Sequence, residues 1–260
     1  MTTITSLNCN GLRSAARKGL WAWVKENSPD VLCLQEIRIQ HHQLHEADGF
    51  PKGYFAYYNP AERPGYAGTA ILSKQKPERV VFGAGWQRAD SEGRWTEAHF
   101  STTVVVSLYV PSGSGLGDKQ LAKEAFMAEL QQRMSALKSV GKRVVICADW
   151  NTCHQNADIK NWKANQKNSG FLPSERAWLD QLITEEGWRD CFRDLPQEPD
   201  TYSWWSNRGR AFENNVGWRL DYQLISPTDN TGLSKTFIDR DAQLSDHAPV
   251  THWYQWELYP

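Results

Sequence analysis

Hydrophobic residues fall along the chain in short runs that follow two different periods. Most runs are short, rich in β-branched or aromatic residues, and bounded by Gly, Pro, Asn or Asp, which predicts strands. The predicted strands are Ile4–Asn8, Val31–Gln35, Tyr54–Tyr58, Thr69–Ser73, Arg79–Phe82, Trp95–Phe100, Thr103–Val110, Arg143–Asp149, Tyr202–Trp205, Leu220–Ile225 and Val250–Gln255. Helices are predicted over Ala15–Asn27, Asp118–Ser139 and Ser174–Glu186. In the second of these, Leu121, Ala125, Met127 or Leu130, Met134 and Leu137 recur every three or four residues as one apolar face, and Gly141 supplies a stop. Several strand runs are apolar on both faces, as a covered sheet requires. Many strands with few helices, in mixed order, imply two sheets packed face to face with helices outside. A doubly wound parallel sheet would need more helices between its strands. The expected fold is a layered α/β sandwich, and with no linker, repeat or low-complexity tract, a single domain over residues 1–260.

Composition changes this picture little. The chain has 260 residues, enough for one large α/β domain, and its 40% hydrophobic and 23% charged content is that of an ordinary globule. A formal net charge of −1 excludes a global basic signature, so a polyanionic partner would need a local basic patch. Thirteen tryptophans exceed what a core needs and favour aromatic surfaces that meet a ring-bearing ligand. The five cysteines, Cys9, Cys33, Cys147, Cys153 and Cys191, are odd in number and hold no CxxC pair. That usage suits a reducing cytosol better than a disulfide scaffold. No apolar stretch approaches membrane-spanning length and no secretory leader opens the chain, so a cytoplasmic protein without membrane contact is expected.

The polar residues are more informative, because they gather at strand mouths. Asn8 and Asn10 follow the first strand, Glu36 follows "VLCLQ", and Tyr109 ends "TTVVVSL". Asp149 and Asn151 end "VVICADWN", Asp221 opens "LDYQLI", and Asp246 and His247 precede the last strand. Each alone reads as a turn residue or a capped strand end. Together they place four carboxylates, several amides, a phenol and an imidazole where neighbouring antiparallel strands begin and end, on one edge. Clustered carboxylates repel one another unless a hard cation sits among them, and oxygen donors select Mg²⁺ or Mn²⁺ over zinc. Such a cation suits phosphoryl chemistry, with a carboxylate to align or deprotonate water. No Gly-rich phosphate loop is present, which argues against nucleoside triphosphate hydrolysis.

The blocks "SLNCNGLR", "DVLCLQE", "GYAGTAILSK", "YVPS", "ADWN", "NWKANQKNSGFLPSER", "NVGWRLDY" and "SDHAP" run in order nearly end to end. In that order and spacing the chain resembles the exonuclease III / AP endonuclease branch of the endonuclease–exonuclease–phosphatase superfamily. The resemblance implies a four-layered α/β sandwich. It also implies that Glu36 is the principal ligand of Mg²⁺, with Asn8 and Asp246 nearby and Asp149 and Asn151 close enough to share in the metal site. Asp149 would activate the attacking water, and Asn151 would fix both Asp149 and a phosphate oxygen. His247, held by Asp221, would contact the scissile phosphate, and Tyr109 would donate to it or to the leaving group. A carboxylate beside His247 fixes its tautomer and favours its charged form.

Lys160, Lys163 and Lys167 alternate with Asn161, Asn165 and Asn168. Alone this is a solvated loop; beside a phosphodiesterase site it reads as backbone-gripping contacts, with Asn10, Arg208 and Arg210 adding to them. Trp204, Trp218 and Leu220 would wall a pocket for a flipped-out, baseless deoxyribose. Four positions depart from the family's usual pattern: Ile37, Ala148, Ser112 and Ala164. None removes a group that hydrolysis needs, but Ser112 and Ala164 bear on substrate preference. The implied activity is Mg²⁺-dependent incision of duplex DNA 5′ to abasic sites by a monomer that reaches the nucleoid through DNA, with 3′→5′ exonuclease or 3′-phosphodiesterase side activity. A predominantly 3′→5′ exonuclease of the same fold is the near alternative. An inositol-phosphate phosphatase or a sphingomyelinase is a more distant one, and a catalytically dead DNA-binding module would lack Glu36, Asp149 or His247, all of which are present.

Overall fold

The computed structural model describes residues 1–47, 49–228 and 230–260. Its strands are β1 (Thr2–Asn8), β2 (Val31–Gln35), β3 (Phe55–Asn59), β4 (Thr69–Ser73), β5 (Arg79–Phe82), β6 (Trp95–His99) and β7 (Thr103–Tyr109), followed by β8 (Arg143–Asp149), β9 (Arg189–Asp190), β10 (Trp204–Trp205), β11 (Gly217–Trp218), β12 (Asp221–Ile225), β13 (Leu233–Ile238) and β14 (Val250–Tyr254). One six-stranded sheet runs β13-β14-β1-β2-β4-β3 and the other β5-β6-β7-β8-β12-β9, while β10 and β11 pair apart from both. Helices Leu12–Arg17 and Leu20–Asn27 cover the first sheet through Leu12, Ala15, Leu20 and Val24. Helices Asp118–Lys138 and Pro173–Asp180 cover the second through Phe126, Leu130, Met134 and Leu179. The result is helix, sheet, sheet, helix, the four-layered arrangement that the resemblance implied.

Strand alternation explains why the site lies where it does. On β8, Val144, Ile146 and Ala148 face the helices, whereas Val145 and Cys147 face the opposite sheet. Period two therefore turns Asp149 inward as well. The same count turns Asn8 inward from Ile4, Tyr109 from Val105, and Asp221 from Ile225. Each inward row runs from an apolar residue packed between the sheets (Ile4, Val105, Val145 or Ile225) to a polar residue at the site end. There Gln35 Nε2 donates to Ser107 Oγ at 3.2 Å and to the Cys147 carbonyl at 3.3 Å, tying the two sheets together below the cleft.

Convergence of the strand ends was expected from antiparallel neighbours, and parallel pairing does half of it. β1 and β2 are parallel, with Asn8 beside Gln35, and β7 and β8 are parallel, with Tyr109 beside Asp149. Antiparallel β12 then sets Asp221 directly opposite Asp149.

Several expectations need correction. The helix expected over Ala15–Asn27 starts at Leu12 and breaks at Gly19, whose φ of 99° is open mainly to glycine. The strand expected over Tyr202–Trp205 shortens to its last two residues; the backbone of Ser203 divides its bonds between two segments, donating to the Trp218 carbonyl and accepting from Ala248 N. Strand β13 was not expected: it is a half-exposed edge with Ser, Lys and Thr and no clean alternation. In the long helix Leu121 is 65% exposed and Ala125 is exposed too, while Gln120 and Lys123 are buried. The first turns thus face a polar neighbour rather than the apolar core.

Candidate active site

A cleft of about 300 Å³ opens where the strand ends meet, lined among others by Asn10, Glu36, Tyr109, Asp149, Asn151, Trp204, Trp218, Leu220, Asp246 and His247. Three of its residues sit just past strand ends with left-handed backbones: Asn10 at φ 43°, Glu36 at φ 55° and Asn151 at φ 49°. Asparagine tolerates this conformation, whereas for glutamate it costs about 1 kcal/mol or more. Bonds on both sides hold Glu36 there: its carbonyl accepts from Gly11 N at 2.8 Å, and Ile37 N donates to the Gly68 carbonyl at 3.2 Å. Gly68 has to be glycine, since a Cβ would lie 2.7 Å from Ile37 Cγ1 and its φ is 84°.

Asn8 links the carboxylates. Its Nδ2 donates to Glu36 Oε2 at 3.0 Å and to Asp149 Oδ2 at 2.8 Å, while its Oδ1 accepts from Asn10 N at 2.9 Å. Asn10 Nδ2 in turn donates to Asp246 Oδ1 at 2.9 Å, and Trp204 Nε1 donates to Asp246 Oδ2 at 3.2 Å. Asn151 holds Asp149 twice, from its backbone N to Oδ1 at 2.8 Å and from Nδ2 to Oδ2 at 3.2 Å, and ties itself to the Val110 carbonyl at 2.8 Å. On the far wall His247 Nδ1 lies 2.9 Å from Asp221 Oδ2, which also accepts from Ser203 Oγ at 2.6 Å. His247 Nε2 faces Asp149 Oδ2 across 3.9 Å.

The electrostatics follow from burial among like charges. Burial alone would strip His247 of its proton, but Asp221 and Asp149 outweigh it and push the imidazole up to about 10. Burial raises Asp149 to about 7; His247 opposes the rise and the Asp221 charge adds to it. Tyr109 is held well above 10, first by burial and then by Glu36 and Asp149, so its phenol keeps its proton at neutral pH. Asp246 is lowered: His247 and the bonds from Asn10 and Trp204 overcome its burial.

Of the expected catalytic and metal-binding residues, Glu36, Tyr109, Asp149, Asn151, Asp246 and His247 line this cleft, while Asn8 and Asp221 are buried just behind it, Asn8 bonded to Glu36 and Asp149 and Asp221 to His247. Asp149, Asp221 and His247 bring one ligand atom each within 4.8 Å of one another, a group that could bind a metal. Glu36 offers two carboxylate oxygens, one accepting from Asn8 Nδ2 and the other paired with Arg38 at the cleft mouth; such oxygen donors are of the kind a hard cation takes. Trp204 and Trp218 meet edge to face at 6.0 Å and 86°, with Leu220 beside them. The Lys/Asn segment is different: Lys160, Lys163, Lys167 and Asn168 are exposed outside the cleft, which the chain enters only at Ser169 and Gly170. Lys160 pairs with Asp200 at 2.5 Å, Asn168 Nδ2 donates to Asn165 Oδ1 at 2.7 Å, and Arg208 lies exposed on a separate loop.

Three contributors were not expected. Arg38 ion-pairs with Glu36 at the cleft mouth. Buried Arg94 lies 4.6 Å over the Tyr109 ring and donates to the Tyr109 carbonyl at 3.0 Å. Ser203 seats Asp221 and also accepts from Leu220 N and Asp221 N at 3.0 and 3.1 Å. Arg38 follows the "LQE" block by two residues and could have been found there. Arg94 and Ser203 lie far from the residues they serve, and nothing local marks them.

Fold and cleft define a phosphoesterase-like α/β sandwich, and comparison with known proteins gives the family. Residues 5–247 match the Endonuclease/Exonuclease/phosphatase family, to which this chain belongs. The chain is 38% identical to an exodeoxyribonuclease of Bacillus subtilis (strain 168) over 256 residues, covering 95% of this chain and 97% of that one. It is also 38% identical to the DNA repair nuclease APEX1 of Danio rerio, over 95% of this chain and 80% of that one. The solved AP endonuclease of Archaeoglobus fulgidus superposes with a TM-score of 0.87 at 25% identity, covering 98% of this chain and 100% of that one.

Proposed function

We propose that the protein is a DNA-repair phosphodiesterase that uses Mg²⁺, or Mn²⁺ in its place, to incise duplex DNA 5′ to abasic sites. The observation that carries this reading is the imidazole of His247, clamped by Asp221 and facing Asp149 across a cleft walled by two tryptophans. Asp149, aligned by Asn8 and Asn151, orients water and takes its proton as the water oxygen bonds to phosphorus. The bond from phosphorus to the 3′ oxygen breaks, and that oxygen takes up a proton from solvent, leaving a 3′-OH and a 5′-deoxyribose phosphate. His247 in its charged form stabilises the negative charge that develops on the phosphate, and Tyr109, still protonated, donates to the same group. Glu36 would hold the divalent ion, with Asn8 and Asp246 beside it and Asp149 and Asn151 within reach of the same site. When bound, the ion polarises a phosphate oxygen and offsets the crowded carboxylates.

Lys160, Lys163, Lys167, Asn165 and Asn168, with Asn10 and Arg208, would lie along the backbone of the duplex on either side of the cleft. On this reading the protein acts on DNA as a monomer. The five cysteines are free and buried, in keeping with a reducing cytoplasm. Among the described residues no helix is long and apolar enough to cross a membrane. A mainly 3′→5′ exonucleolytic activity is the second reading, favoured by the likeness to the Bacillus exodeoxyribonuclease.

Trp218 distinguishes the two. If Trp204, Trp218 and Leu220 shape a pocket that admits a baseless sugar and excludes an intact nucleotide, Trp218→Ala should lower the ratio of abasic-site incision to 3′ degradation by ~10-fold, the scale of a lost aromatic wall. The ratio is read on one duplex carrying an abasic analogue and a matched 3′ end, at one salt concentration. An unchanged ratio would remove Trp218 from substrate selection.

The coupled cluster also sets a pH profile. kcat/KM should rise as Asp149 ionises near pH 7, earlier with a cation bound beside it, and fall as His247 loses its proton near pH 10. Both groups hold protons more tightly in the folded chain than free. Their stabilisation is therefore complete at acid pH and is lost as pH rises through about 7 for Asp149 and about 10 for His247. His247→Ala should abolish the alkaline limb, and a limb that persists in that variant belongs to another group.

A further inference from the structure

Behind the cleft, on the side away from solvent, lies an ion pair for which the chemistry above has no use. Lys123 and Glu175 are both fully buried, on helices Asp118–Lys138 and Pro173–Asp180, with Nζ 2.5 Å from Oε1. Replacing such a pair with well-packed apolar residues is often neutral or stabilising, because both ions lose their hydration. Stability alone therefore does not account for it. Its other partners do. Lys123 Nζ donates to the Asn151 carbonyl at 2.7 Å and to Thr152 Oγ1 at 2.9 Å. Glu175 Oε2 accepts from Gly170 N at 2.7 Å and from Leu172 N at 2.9 Å, and Oε1 accepts from Ser169 Oγ at 3.4 Å.

One end of the pair thus grips the residue that aligns Asp149. The other grips the point where the Lys/Asn segment enters the cleft. Asn151 is left-handed at φ 49°, so its peptide has no regular ladder to hold it. The fit is close: a Cβ on Gly170 would stand 3.0 Å from the Asn151 carbonyl oxygen and 3.1 Å from the Trp218 ring.

We propose that the buried Lys123–Glu175 pair is a positioning element for turnover, holding the Asn151 peptide, and through it Asp149, in register with the Ser169–Gly170 wall. This rests on the reading of Asn151 and Asp149 as groups acting on the phosphate. An apolar pair of equal volume could fill the space but could not bond the carbonyl on one side and the two N–H groups on the other. Neither residue touches substrate, so the effect should appear in kcat rather than KM and should be transmitted through Asn151.

The test is a double-mutant cycle on an abasic-analogue duplex, comparing wild type, Lys123→Met, Asn151→Ala and the two combined. Lys123→Met should lower kcat by ~10-fold with KM within ~3-fold, and by only ~3-fold once Asn151 is already alanine, because that variant keeps the backbone N–H bond to Asp149 but has lost the Nδ2 bonds to Asp149 and the Val110 carbonyl that the held peptide aims. A neutral pair, Lys123→Met with Glu175→Gln, keeps an acceptor for Gly170 N and Leu172 N without leaving a lone buried charge. It should retain a melting point near that of wild type while kcat stays low, and it takes the place of Lys123→Met in the cycle if that variant does not fold. Equal losses in both Asn151 backgrounds, or wild-type kcat in the neutral pair, would overturn this proposal alone. Full turnover by Asn151→Ala itself would overturn the role of Asn151 and this proposal with it.

Discussion

Asp149→Asn should lower turnover at an abasic site by ~10²-fold or more, the usual scale for a positioned base. DNA affinity should change far less. Asparagine keeps the shape and one carbonyl oxygen to accept from Asn8 or Asn151, but it cannot take a proton from water. It also removes one of the charges that hold His247 up to about 10, so the alkaline limb of the pH profile should move down in the same variant. Single-turnover rates and a binding isotherm on the same duplex separate the two effects. A loss confined to affinity would place Asp149 on the binding surface and leave the attacking water without a base.

Glu36→Gln should be nearly as severe for a different reason. Glutamine can still accept from Asn8, so the left-handed turn and the melting point should survive. What goes is a full negative charge on the open side of the cleft, together with the partner of Arg38. Half-maximal activity should then need at least ~10-fold more Mg²⁺, with lower turnover at saturation, as loss of a carboxylate ligand weakens a hard-cation site more than loss of the groups that orient it. A Mg²⁺ titration of activity is the measurement. Wild-type turnover at low Mg²⁺ would remove the metal from Glu36 and shift attention to the compact group of Asp149, Asp221 and His247.

Much of this site could be read from the chain because strand period and site chemistry coincide. The apolar alternation that packs Val145 and Cys147 between the sheets also turns Asp149 inward, and the same holds for Asn8, Tyr109 and Asp221. Direction and edge position thus came from the hydrophobic pattern, even though the sheet reached them partly through parallel pairs. The residues that escaped notice act across long sequence separations. Lys123 and Gln120 read as the solvated side of an amphipathic helix, and their burial depends on Glu175, more than fifty residues away. Arg94 looks like an ordinary strand-edge cation until the fold lays it over Tyr109. Composition placed the Lys/Asn segment near the site, but most of it stands outside the cleft, where only a bound strand could give it work.

The central proposal is tested most directly on a duplex that carries one abasic-site analogue and a matched 3′ end, with and without Mg²⁺. Mg²⁺-dependent cleavage immediately 5′ to the analogue, faster than loss of nucleotides from the 3′ end, is the expected result. Ready degradation of the 3′ end with the analogue left intact, or cleavage that proceeds unchanged in the presence of a chelator, would contradict it.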